Sequence, residues 1–336
     1  MRHALLAALL FAAPLGAPGA LSTQRYEYSR PLMGTSMRIV LYAADADTAG
    51  AAADAGFARI AELDLALSDY RDSSELMQLS RKGGTGPVTV SDDLFRVLRA
   101  AQQLFQRSDG AFDVTVGPLT VLWRRARRLA EMPDPARVAV ARDLIGGHRV
   151  ILDERQRTVT LVNTGMQLDL GGIAKGFAAD EATAVLARYG MTSTLVAAGG
   201  DIRVTNPPPG ADAWRIAIAP LEAADVSHAK HVMLRNAAIS TSGDAEQFVV
   251  IDGVRYSHIV DPRTGQPLTR RGSVTVVAPD ATTTDGLATA VAVLAHEKGL
   301  RLVDDSPPSA AMIVEADDAG VHSYESSRWS ALRISP

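Results

Sequence analysis

Apolar positions along this chain follow two periods, and the switches between them mark its elements. Spacings of three and four put Phe57, Ile60, Leu63 and Leu67 on one face and predict a helix over Asp47–Leu67. Leu94, Val97, Leu98, Ala101 and Leu104 predict a second helix, opened by Ser91 as N-cap with Asp92 and Asp93 at its positive end. Further helices are predicted over Lys175–Tyr189, where Gly190 closes the last turn, and over Leu287–Leu302. Short β-branched runs predict strands at Arg38–Tyr42, Thr194–Ala198, Trp214–Ala219, Val232–Leu234, Phe248–Ile251, Tyr256–Val260, Ser273–Ala278 and Ala310–Val314. Arg149–Leu152 and Thr158–Val162 pair as a hairpin in the same reading. The elements do not alternate as βαβ units, so an α+β fold is expected rather than a doubly wound sheet.

Composition sets the size and the setting. With 336 residues, 47% of them hydrophobic, the chain can build one large domain or two intimately packed lobes. A net charge of -4 argues against a general binder of nucleic acid or anionic membrane. The local run Arg124-Arg125-Ala126-Arg127-Arg128 reads as a solvated helix face, with a phosphate-contacting patch as the alternative. Met1-Arg2-His3, the apolar Ala4–Ala13 and the small residues up to Ala20 have the form of a secretory signal peptide. Residues 1–20 are therefore expected to be removed, leaving 21–336 as a single two-lobed domain in the periplasm. The chain has no cysteine, which excludes disulfides, thiolate metal sites, a cysteine nucleophile and a lipoprotein anchor.

Four segments carry candidate chemistry. Ile239 to Gly265 reads as one hairpin bearing a hydroxyl-rich turn (Thr241-Ser242-Gly243), Asp244, His258 on a strand, and the turn Asp261-Pro262-Arg263-Thr264-Gly265. His258 can act as a general base there, or be a half-buried strand residue beside a turn capped by Asp261. Asp169-Leu170-Gly171-Gly172 leads into a helix beginning near Lys175, where open backbone N–H groups and the lysine could receive an anion. A tight strand-to-helix turn is the plainer alternative. Asp285, read as a helix-start residue, and Thr289 one turn on could both reach a hard cation such as Mg²⁺, or Asp285 could simply cap the helix. Gly110–Leu119 is too short and glycine-bounded for a helix and forms either a ligand-wrapping loop or a core loop.

In order and spacing these segments resemble one family. Met33-Gly34-Thr35, Ser68-Asp69-Tyr70, Ser74-Glu75-Leu76, Phe112 to Leu119 with Trp123, Asp169 to Gly176, Gly199 to Ile202, Thr241 to Asp244, Tyr256 to Gly265, and Asp285 with Thr289 are similar to the motifs of the ApbE-like FAD:protein FMN transferases. The resemblance implies an α+β fold with FAD in a cleft between two lobes. It implies a transferase that moves FMN from FAD to a threonine or serine hydroxyl of a respiratory flavoprotein subunit, with Mg²⁺, releasing AMP. Hydrolysis of FAD to FMN and AMP, or flavin binding without catalysis, are the alternatives. Carried over by position, Met33, Tyr70, Ala111, Phe112, Asp113, Asp169, Lys175, Ser257 and Ile259 line the FAD site. Asp285, Thr289 and the Gly172 carbonyl hold Mg²⁺, and His258 is the base, oriented by Asp244 or Asp261. One departure is Ala245, where the family carries an aromatic residue after T-S-G-D.

Overall fold

The computed structural model describes residues 23–218, 221, 230–243 and 247–335. The leader segment, Asp244 and Ala245 lie outside the described residues. Seven helices are found among them: α1 (Ala46–Leu67), α2 (Glu75–Arg81), α3 (Asp92–Arg107), α4 (Gly117–Leu129), α5 (Pro135–Asp143), α6 (Ala174–Arg188) and α7 (Ala281–Asp304). An eight-stranded antiparallel sheet runs in the order Gln24–Leu32, Thr35–Ala43, Thr194–Ala198, Asp201–Val204, Ala237–Gly243, Arg271–Ala278, Ala310–Asp317, Gly320–Glu325. The α+β expectation holds.

Side-chain alternation explains the layering. Met37, Ile39 and Leu41 face the helices, together with Val196, Ala198, Ala238 and Val276 from neighbouring strands. Val40, Leu195, Ala197, Ile239 and Val277 face the other way, onto a small sheet of Trp214–Ala217, His231–Leu234 and Ile334–Ser335. Period two along each strand supplies both apolar faces.

The helix layer is close because its contact positions are small. Gly56 of α1 lies against Ile39 and Leu186, and Ala178, Ala179 and Ala182 of α6 are fully buried. Helix α6 also fixes the start of α7. The Asp180 carboxylate accepts hydrogen bonds from the Ala281 and Thr282 backbone N–H groups at 2.9 and 2.8 Å, which meets two of the unpaired donors of that helix end. Asp280 is the N-cap, accepting from the Thr283 N–H. Asp285 is thus the fifth residue of α7 and not its cap, and the boundary lies six residues before the predicted one.

A smaller core joins α4 and α5 to the segment bearing His258. It consists of Leu119, Trp123, Ala126, Val138, Ala141 and Val260. The Trp123 indole N–H donates to the Gly265 carbonyl at 2.9 Å, and its ring stacks on Tyr256 with centroids 5.6 Å apart. Two expectations are corrected here. Gly110–Leu119 is loop only as far as Val116, and Gly117 with Pro118 opens α4, proline needing no N–H partner in a first turn. Ile239–Gly265 is not one hairpin: Thr241-Ser242-Gly243 ends a strand of the main sheet, paired with Thr275, Val274 and Ser273. The hairpin proper is Phe248–Ile251 with Val254–Ser257, and His258 stands in the break before the Val260–Asp261 bridge to Gln266–Pro267.

Gly176 at the start of α6 tests this packing. A Cβ there would lie 2.0 Å from the Ala281 carbonyl oxygen and 2.9 Å from the Asp285 Cβ. Gly176→Ala is expected to lower unfolding stability in urea by about 1–3 kcal/mol through overpacking. An unchanged midpoint would mean that the two helices do not meet this closely.

Candidate active site

A cleft of about 1680 Å³ is lined by residues of the main sheet, α6 and α7 and by α4 and the segment bearing His258. This exceeds the ~300–1,000 Å³ usual for small-ligand pockets and leaves room for an extended dinucleotide. Met33, Tyr70, Ala111, Phe112, Asp113, Asp169, Gly172, Lys175, His258, Ile259, Asp285 and Thr289 all line it. Ser257 is buried just behind, its hydroxyl accepting from the Ile259 N–H at 3.1 Å. Residues scattered over more than 250 positions of sequence are thereby brought to one place.

One wall is a buried ionic cluster. The Lys175 ammonium lies 3.0 Å from Asp201 Oδ2 and 3.5 Å from Asp285 Oδ2, and donates to the Gly171 carbonyl at 3.3 Å. Asp285 is 2% exposed, and its Oδ2 also accepts from the Gly176 N–H at 3.0 Å. The helix start predicted to receive an outside anion therefore already holds the protein's own carboxylate. Burial, then the Asp201 charge, push the Asp285 pKa up to about 7 against the pull of Lys175. Burial alone would lower the Lys175 pKa, but the Asp285 and Asp201 charges outweigh it and hold the ammonium above its ordinary value. Two carboxylates against one ammonium leave the cluster one negative charge in excess when all are ionised.

Thr289, one turn after Asp285, completes an oxygen-donor set. A Cβ on Gly172 would lie 2.9 Å from the Thr289 Oγ1, so only glycine lets this backbone pass so near the hydroxyl. Neither the Thr289 hydroxyl nor Asp285 Oδ1 makes a hydrogen bond among the described residues. Uncommitted oxygens, a buried excess of negative charge and no sulfur or imidazole ligand suit a hard cation.

Another wall is α4. Leu119, Trp123 and Ala126 point into the small core, so Val116, Thr120, Arg124 and Arg127 turn to the cleft. Arg124 binds the Asp69 carboxylate through Nη1 and Asp169 Oδ2 through Nη2 at 3.0 Å, and its guanidinium lies 4.2 Å from the Tyr70 ring centroid. Asp169 Oδ1 accepts from the Gly171 N–H at 2.8 Å, tying this wall to the glycine turn. Burial, then the Asp169 charge, raise the Asp69 pKa above its ordinary value despite Arg124. The basic run is therefore not a solvated face throughout: Arg125 and Arg128 are exposed, while Arg124 and Arg127 are half-buried in the cleft.

Other expected residues take definite places. Asp113 Oδ1 accepts from the Thr115 N–H and hydroxyl, and Oδ2 from the Gly147 N–H, so this carboxylate pins the loop that presents Ala111 and Phe112. Tyr70 is 75% exposed and offers an open ring face. His258 Nδ1 lies 3.2 Å from the Gln247 carbonyl. Asp261 accepts from the Arg263 Nε and Nη2 at 2.9 and 2.8 Å, so its carboxylate is held within its own turn by Arg263. The sequence reading missed Arg124, Asp69 and Asp201 as site residues. The first was legible in the helical spacing of the α4 arginines, and Asp201 in an acid opening a buried strand just after Gly199-Gly200.

The Arg124 cluster is expected to behave as a unit. Arg124→Met leaves two neighbouring buried carboxylates without a cation and is expected to cost about 3 kcal/mol of stability. Adding Asp69→Asn should recover about 1 kcal/mol or more of that loss, measured as a double-mutant cycle in urea. Strictly additive losses would show that the three charges are not coupled.

Comparison with known proteins agrees with this geometry. Residues 33–314 match the model of the ApbE family. A FAD:protein FMN transferase of Treponema pallidum is 34% identical over 308 residues, covering 87% of this chain and 85% of the relative. One from Vibrio cholerae is 32% identical and covers 96% of each chain. The solved flavin transferase ApbE from Vibrio cholerae superposes with a TM-score of 0.82 at 30% identity, covering 93% of this chain and 100% of the other. The ApbE protein of Thermotoga maritima gives 0.81 at 32% identity, over 92% and 99%.

Proposed function

The chain belongs to the ApbE family, and from that premise we propose that it transfers FMN from FAD to a hydroxyl of an acceptor protein, with Mg²⁺ bound at Asp285, Thr289 and the Gly172 carbonyl. The observation that carries this reading is the cleft itself. A histidine and a buried, charge-imbalanced oxygen cluster line the same cleft. A dinucleotide pyrophosphate between them would meet proton acceptance on one side and charge neutralisation on the other.

In the proposed step the acceptor threonine Oγ bonds to the phosphorus of the FMN half. The bond from that phosphorus to the bridging oxygen breaks, and AMP leaves with the electron pair. The hydroxyl proton passes to His258, since a neutral threonine is a poor nucleophile without a base. Bound Mg²⁺ would neutralise charge gathering on the pyrophosphate oxygens. Lys175 holds Asp285 and Asp201 in place and keeps its own charge near the reacting phosphates. Asp169 and Arg124 stiffen the wall below Tyr70, whose open face can stack a ring of FAD. The signal-like N-terminal segment supports a periplasmic setting, and a redox flavoprotein subunit there is the proposed acceptor.

Incubation with FAD, Mg²⁺ and a respiratory acceptor subunit is expected to add one FMN mass to a single threonine, seen by intact-protein mass spectrometry, and to stop on chelation. Release of FMN and AMP with no adduct on any acceptor would replace transfer with hydrolysis. His258→Ala is expected to slow transfer about 100-fold or more while FAD binding persists. Full activity of that variant would remove the proposed base.

A further inference from the structure

Arg127 is a charged group in the cleft that the proposed chemistry leaves unexplained. It lies on the cleft face of α4, one turn beyond Arg124. Arg124 is neutralised by Asp69 and Asp169. Arg127 makes no hydrogen bond or ion pair among the described residues, and its Nη1 is shut off from solvent. Burial and the neighbouring Arg124 charge both oppose its ionised form. A half-buried guanidinium with no partner weakens the folded protein, and such groups are uncommon unless a ligand supplies what is missing.

The position narrows the ligand. Arg127 is on the Tyr70 side of the cleft wall, while Lys175, Asp285 and Thr289 form the wall proposed for the metal and pyrophosphate. Arg127 and Tyr70 are near enough to interact electrostatically, so a ring held against Tyr70 comes within reach of the Arg127 guanidinium. A guanidinium only donates hydrogen bonds, so it suits an edge made of acceptors. The O4/N5 and N1/O2 corners of an isoalloxazine each offer two adjacent acceptors to a guanidinium, whereas the adenine acceptors N1 and N7 each flank the amino donor and fit poorly.

We propose that Arg127 is a specificity-determining residue that binds the carbonyl edge of the flavin ring, selecting the flavin end of the dinucleotide for the Tyr70 side of the cleft. This rests on the transferase reading above. It implies a trade: a residue that costs stability in the empty protein and returns it as affinity when flavin is bound.

The test compares Arg127→Gln with Arg128→Gln, an exposed neighbour losing the same charge, by calorimetric titration with FAD, riboflavin and ADP. Arg127→Gln is expected to weaken FAD and riboflavin about 10- to 100-fold, the range for a hydrogen bond to a charged group. ADP affinity should stay unchanged, and the empty variant should melt no lower than wild type. Arg128→Gln should leave all three affinities in place. A loss confined to ADP, equal affinities in the two variants, or a melting temperature that falls along with affinity would each overturn the assignment. Wild-type protein that takes up no FAD at all would sink the transferase reading instead.

Discussion

The site depends on keeping one ammonium and two carboxylates together where water is nearly excluded. Lys175 comes from the first turn of α6, Asp201 from the start of a sheet strand, and Asp285 from the second turn of α7. None of the three is comfortable alone, because burial penalises each charged form. Together they hold sheet, α6 and α7 in one register. Asp180 fixes the start of α7 against α6, and the Ser240 hydroxyl meets that of Thr284 at 2.6 Å, fastening α7 to the sheet. Gly176 and Gly172 let backbones approach closely enough for the charges and Thr289 to meet.

The smaller core has its own device. Trp123 ties α4 to the turn after His258. The Arg124–Asp169 pair, the glycine turn and the Lys175 cluster are linked in turn, which gives preorganisation without a dense array of catalytic side chains. Dipoles and charges already fixed in place need no rearrangement as charge develops on a substrate.

Much of this was legible in the chain before any coordinates. The Phe57–Leu67 and Leu94–Leu104 stripes gave α1 and α3 closely, and Thr194–Ala198 and Phe248–Ile251 are strands with the predicted bounds. His258, Lys175, Asp285 and Thr289 were singled out and do line one cleft. What was hidden were facts of tertiary pairing. Period-two alternation cannot tell that Thr241-Ser242-Gly243 continues into the main sheet, because strand partners are chosen by distant residues. The early start of α7 was masked by the Thr282-Thr283-Thr284 run, whose β-branched residues are poor helix formers and here succeed because Asp180 of α6 caps the turn. Arg124 looked like surface charge because its carboxylate partners lie 55 and 45 residues away.

The central claim is that the Asp285–Thr289–Gly172 corner holds a divalent cation beside bound FAD. Crystals soaked with FAD and Mn²⁺ in place of Mg²⁺, measured for anomalous scattering, test it most directly. The account predicts an anomalous peak in direct contact with the Asp285 carboxylate, the Thr289 hydroxyl and the Gly172 carbonyl, bridging to a phosphate oxygen. FAD bound in the cleft with that corner free of manganese, or manganese seated elsewhere, would contradict it.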